Sequence, residues 1–147
     1  MKYRLLFLCT GNSCRSQMAE ALTRSLWPNL FDVFFAGIES HGLNPHMVAV
    51  MAERGIDMAG HRSKTLADLP FREFDFVVTV CGHADKVCPI FPAKTQRIHH
   101  GFDDPPGLAA TATTPEEALG HYRRVRDEIA EFIRALPEIL AIKEPQP

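Results

Sequence analysis

No Cys-x-x-Cys pair occurs among the four cysteines of this 147-residue chain. The spacings present, Cys9 to Cys14 and Cys81 to Cys88, match no common zinc module. His83, His99 and His100 are the only nearby residues that would complete a metal set with Cys81 and Cys88, and their spacing argues against one, so no metal and no cofactor is expected. Four cysteines read as two disulfides in a secreted protein, and as redox or catalytic thiols in the cytosol. A strong charge of either sign is also missing: the formal net charge is -2, which argues against a polyanionic partner such as DNA or RNA. Long apolar runs are absent as well. The N-terminal stretch Leu5 to Cys9 is too short to span a bilayer and no signal-peptide cleavage site follows it, so a cytoplasmic protein without membrane contact is expected. There is no internal repeat and no low-complexity segment. With 46% hydrophobic residues, the chain suffices for one domain over 1–147 with a genuine core, and for no second.

Periodicity supplies the elements. Tyr3 to Cys9 reads as a buried strand stopping at Thr-Gly-Asn. A helical pattern starts at Ser16, carries Met18, Ala19, Leu22 and Leu26 on one side, and closes at Pro28. Phe31 to Ala36 is a second strand ended by Gly37. Asn44-Pro45 opens a helix with Met47, Val48 and Met51 inward and Gly55 as its stop. Phe74 to Cys81 is the strongest strand, and a shorter one lies near Thr95 to His99. Thr114-Pro115-Glu116-Glu117 makes a capping box for the last helix, whose inward side is Ala118, Tyr122, Val125, Ile129, Phe132 and Leu136, with Pro137 as its end or kink. Strands alternating with helices predict an α/β fold on a parallel sheet with right-handed crossovers. The polar tail Lys143 to Pro147 is expected to fray.

The chemistry concentrates in Cys9-Thr10-Gly11-Asn12-Ser13-Cys14-Arg15-Ser16. A parallel strand feeding a helix aims backbone N–H groups and the positive end of the helix dipole at one spot. Gly11 and Asn12 tolerate the left-handed conformations that curl a loop into an anion nest, and Arg15 can clamp a tetrahedral oxyanion with two parallel hydrogen bonds. In that setting Cys9 is expected to be a thiolate near neutral pH, and the Ser16 hydroxyl is placed to hydrogen-bond its sulfur. A merely structural buried cysteine would need neither the glycine nor the arginine.

Cys-x5-Arg-Ser directly after the first strand resembles the low-molecular-weight protein tyrosine phosphatase superfamily. The longer string from Cys9 through Gln17-Met-Ala-Glu20 resembles its thioredoxin-coupled arsenate reductase branch. The likeness continues through Ala36-Gly37-Ile38-Glu39-Ser40-His41-Gly42, Val77 to Cys81, Cys88-Pro89, Gly101-Phe102-Asp103-Asp104-Pro105 and Arg124 to Ile129. It implies a three-layer domain with a four-stranded parallel sheet of order 2-1-3-4 and helices on both faces. It further implies arsenate as substrate, thioredoxin as reductant, a role in arsenical resistance, a monomer, and weak phosphatase side activity.

Asp104, before a proline, reads alone as a turn residue. The resemblance makes it the general acid, with Asp103 the lesser candidate. The resemblance also implies that Cys9 attacks arsenate, that Cys81 then displaces arsenite by forming a Cys9–Cys81 disulfide, and that Cys88 moves it to Cys81–Cys88. Were 82–87 helical, Cys81 and Cys88 would stand about 10 Å apart, against the roughly 4.4–6.8 Å that a disulfide requires. That segment is therefore expected to bend or unwind on oxidation and to present the disulfide outward. Cys14 has no relay partner assigned by the resemblance, and a structural role or occasional off-pathway disulfide formation with Cys9 is expected. Some relatives hold potassium beside the loop; Asn12 and Glu20 match that set, but Phe35, Arg62 and Lys64 do not, so no potassium site is expected and Arg62 or Lys64 would supply positive charge to Glu20. A loop His41 reads as solvated. Two alternatives stay open. A phosphatase would use Cys9, Arg15 and Asp104 alone, although Asp104-Pro105-Pro106-Gly107 lacks the tyrosines that stack a phenyl ring. A non-enzymatic metalloid-binding or thiol-sensing protein would use Cys81 and Cys88.

Overall fold

The computed structural model describes residues 2–9, 14–37, 44–58, 68–69, 73–82, 91 and 94–142. A four-stranded sheet, all parallel, runs in the order β2-β1-β3-β4, as the resemblance implied. Its strands are β1 (Tyr3–Cys9), β2 (Phe31–Gly37), β3 (Phe76–Thr79) and β4 (Gln96–His99). Around it lie α1 (Cys14–Leu26), α2 (Pro45–Ala52), α3 (Pro105–Ala109), α4 (Pro115–Arg134) and the short α5 (Leu136–Ile139).

β1 is central because Leu5, Leu6, Phe7 and Leu8 have no polar face to show, and all four are fully buried. Seven residue pairs join it to β2, from Tyr3 opposite Phe31 to Cys9 opposite Gly37. On its other side, Leu5 to Leu8 lie opposite Phe76 to Thr79. β4 is the edge, and Gln96, Arg97 and His99 are exposed there, polar cover suited to an unpaired strand side. α1 lies against β1, β2 and α4, and α4 also contacts α2 and α3.

Several boundaries depart from the sequence expectation. α1 starts at Cys14, two residues before Ser16, so the arginine belongs to the helix and not to the loop. β3 is confined to Phe76–Thr79; Phe74 and Cys81 are buried but lie beyond the ladder. The segment after Asp104, expected as a polar loop, forms α3. α2 has Met47, Val50 and Met51 inward, with Val48 only half-buried. Gly55 ends that region with φ +76, a left-handed value that suits glycine. The expected tail Lys143 to Pro147 lies outside the described residues.

Candidate active site

The carboxyl ends of parallel strands gather the reactive groups, as open α/β sheets place their sites. Cys9 ends β1 with 2% of its surface exposed. Thr10, Gly11, Asn12 and Ser13 lie outside the described residues, and the chain resumes at Cys14 as α1 begins. Cys14 to Glu20 are all buried, and no acidic side chain occupies the first turn of α1. The helix therefore directs an uncompensated positive dipole end toward the Cys9 side.

Arg15 crosses from α1 to the far side of the site. Its Nη1 donates to the Phe102 carbonyl oxygen at 2.8 Å, joining residues 87 apart in sequence. Its Nη2 stands 3.6 Å from Asp104 Oδ1. Its Nε is buried and has no hydrogen-bond partner among the described residues. A buried guanidinium N–H without an acceptor is costly, and an oxyanion in the cradle would satisfy it. One contact ties the arginine to the Phe102 carbonyl, one reaches Asp104, and the Nε donor has no partner among the described residues.

Asp104 caps α3 on a β-region backbone, and its side chain is 55% exposed, so it can exchange protons with solvent while facing Arg15. Asp103 is engaged elsewhere, 3.0 Å from Arg124 Nη2 on α4. Asp104, and not its neighbour, is the carboxylate that faces Arg15.

Cys14 behaves differently from the nucleophile expected at Cys9. Burial pushes its thiol up to about 12, outweighing the opposing attraction of Arg15, with the charge of Asp104 adding to the rise. It stays protonated at neutral pH, consistent with a structural role. Cys81, 5% exposed, follows Val80, whose N–H donates to the Leu8 carbonyl oxygen at 2.9 Å. The two cysteines therefore leave neighbouring strands at the same end of the sheet. Cys88, His83 and His41 lie outside the described residues, and so does the expected bending of 83–88.

Glu20, buried in α1, accepts from Arg24 Nε at 2.8 Å. Among the described residues Arg24 is thus the cation beside Glu20; Asn12, Arg62 and Lys64 lie outside them, and Phe35 is buried in β2. Among the described residues no three His, Cys, Asp or Glu side chains group to hold a metal ion, and no helix is long and apolar enough to cross a membrane.

One residue at the flank escaped the sequence reading. Tyr122, placed by periodicity on the core face of α4, also accepts a 2.8 Å hydrogen bond from Asn44 Nδ2, while Asn44 Oδ1 caps α2 through the His46 and Met47 N–H groups. Burial raises the phenol above its ordinary range against the Asn44 bond, and charge on Cys14 and Asp104 adds to the rise. Helical spacing signals the burial of such a tyrosine but carries no sign of its hydroxyl partner.

Residues 4–145 match the family described as low molecular weight phosphotyrosine protein phosphatase. An arsenate reductase of Halalkalibacterium halodurans is 48% identical over 134 residues, covering 91% of this chain and 94% of the relative. A solved arsenate reductase in its phosphate-binding state superposes with a TM-score of 0.74 at 31% identity, covering 97% of this chain and all of that one. An arginine phosphatase of Geobacillus stearothermophilus superposes at 0.71, also 31% identical, covering 95% and 93%. The chain therefore belongs, as an enzyme, to the low-molecular-weight phosphotyrosine protein phosphatase family.

Proposed function

We propose that this enzyme reduces arsenate to arsenite through a cysteine relay, with thioredoxin as the final reductant. The observation that carries this reading is the placement of two buried cysteines, Cys9 and Cys81, at the carboxyl ends of the adjacent strands β1 and β3. Arsenate reductases among its relatives support the substrate. A phosphatase mechanism needs only the first cysteine, and it leaves Cys81 without a task.

The Cys9 thiolate attacks arsenic and forms an S–As bond, and Asp104 gives its proton to the departing oxygen, which leaves as water. Arg15 and the N–H groups of residues 10–16 hold the remaining oxygens. Cys81 as thiolate attacks Cys9 Sγ; the S–As bond breaks with its electron pair on arsenic, so arsenic(V) becomes arsenic(III) while two thiols become the Cys9–Cys81 disulfide. Cys88 then attacks Cys81 Sγ, ejects the Cys9 thiolate and leaves Cys81–Cys88, which thioredoxin reduces by the same exchange.

A panel of variants, assayed with thioredoxin and thioredoxin reductase, tests this. Arsenate turnover should vanish in Cys9→Ser, Cys81→Ser and Cys88→Ser, and Cys88→Ser should stop after one turnover with Cys9 joined to Cys81. Hydrolysis of an aryl phosphate should be lost only in Cys9→Ser. Full arsenate turnover in Cys81→Ser would falsify the relay, and wild type that hydrolyses the aryl phosphate but turns over no arsenate would leave the phosphatase reading in its place.

A further inference from the structure

Asp104 occupies the N-cap of α3, where an aspartate ordinarily accepts a hydrogen bond from the N–H of the second or third helical residue. Here the side chain makes no such bond. The first two helical positions are Pro105 and Pro106, neither of which has an N–H to give. The third is Gly107, and the carboxylate lies across it. A Cβ at Gly107 would fall 3.0 Å from Asp104 Oδ2, tighter than an ordinary contact, and 3.7 Å from its carboxyl carbon. The other oxygen is the one 3.6 Å from Arg15 Nη2. The backbone of Gly107 is helical, so space, and not a left-handed conformation, is what glycine supplies there.

The geometry points to Gly107 as a positioning residue that seats the Asp104 carboxylate against Arg15, with Pro106 offering that carboxylate no capping N–H at the second helical position. This inference rests on the reading of Asp104 as the proton donor. The prolines offer no N–H at the first two positions, and the glycine leaves room for the carboxylate at the third. Among the described residues, the charged or titratable groups facing Asp104 include Arg15 and Cys14 from α1 and Tyr122 from α4, while Arg124 holds the neighbouring Asp103 aside.

The test uses the full chain with thioredoxin and thioredoxin reductase, comparing wild type, Gly107→Ala, Pro106→Ala and Asp104→Asn. Alanine is the better helix former, so Gly107→Ala should melt at the wild-type temperature or above it. Its kcat on arsenate should nevertheless fall about tenfold with KM within about twofold, since a displaced acid acts only in the transition state. Pro106→Ala restores an N–H at the second position, which can draw the carboxylate into a cap, and should likewise lower kcat with KM within about twofold. If Asp104→Asn loses activity while Gly107→Ala keeps wild-type kcat, the inference is overturned alone. A Gly107→Ala variant with lowered melting temperature and raised KM overturns it too, since that marks general damage. If Asp104→Asn keeps full turnover, or wild type turns over no arsenate, the underlying reading fails and this inference falls with it.

Discussion

Cys14 shows how strongly a few ångströms of burial act on one thiol. It begins the same helix as Arg15, yet desolvation wins over the guanidinium and lifts it from 9.0 to about 12. Ionising it inside the fold means placing a charge where water cannot reach, and the nearby negative Asp104 adds to the cost. The sign for stability follows. Above pH 9 the unfolded chain gives up this proton and the folded one does not, so the contribution is complete below that pH and is lost as pH rises toward 12. Wild type should therefore lose stability faster than Cys14→Ala between those limits, by about 1.4 kcal/mol per pH unit, in urea titrations at stepped pH. Parallel slopes for the two proteins would show that Cys14 ionises as freely folded as unfolded. Single residues were also where the sequence was most and least informative. Arg15 was expected as an anion clamp from its charge and its place in the loop before the helix, although it lies within α1. Its bond to the Phe102 carbonyl was not, since nothing local encodes a partner 87 residues away.

At the scale of elements, the expected starts and stops held where capping chemistry is local. Thr114 accepts from the Glu117 N–H at 3.1 Å, and Pro115 occupies the first turn of α4. The reciprocal half of the box is displaced by one residue: the Glu117 carboxylate takes the N–H and hydroxyl of Thr113 at 3.0 and 2.8 Å. Its ionised form is stabilised by those bonds, which hold the carboxyl below its usual range. Thr114→Ala should destabilise the fold by about 1 kcal/mol in urea unfolding, with kinetic constants unchanged, because only the helix entry is touched. A loss of activity at unchanged stability would mean that this end of α4 reports to the site. α3 was the element not legible in advance. Asp-Pro-Pro-Gly carries turn residues at every position, and a five-residue helix offers too little periodicity to outweigh them. The β3 boundary missed for a related reason. Hydrophobicity marks burial from Phe74 to Cys81, whereas ladder pairing stops at Thr79.

For the molecule as a whole, the question is which part moves when the cysteines change partners. Leu5 to Leu8 and Val77 to Val80 are buried without solvent access, except that their Thr79 hydroxyl lies 2.9 Å from His99 Nδ1, and their backbones are locked in a parallel ladder. Displacing either strand would break hydrogen bonds and open the core, at several kcal/mol for each large side chain exposed. Cys9 directly follows the last β1 residue of that ladder, and Cys81 follows Val80, whose N–H is bonded to the Leu8 carbonyl oxygen. Beyond Cys81 the sequence turns polar through His83, Asp85 and Lys86, between Gly82 and Pro89. Gly82 is exposed, and a side chain there would meet nothing within 4 Å. The conformational work of forming Cys81–Cys88 should therefore fall on 82–88, while the sheet stays as it is. Hydrogen exchange followed by mass spectrometry on reduced and oxidised protein checks this. Protection across 82–88 should change by tenfold or more with the redox state, taking about 1.4 kcal/mol per tenfold, while β1 and β3 exchange only at the rate of global unfolding in both states. Equal protection of 82–88 in the two forms would mean that the disulfide forms without rearrangement, and a change confined to β1 and β3 would reverse the assignment of rigid and moving parts.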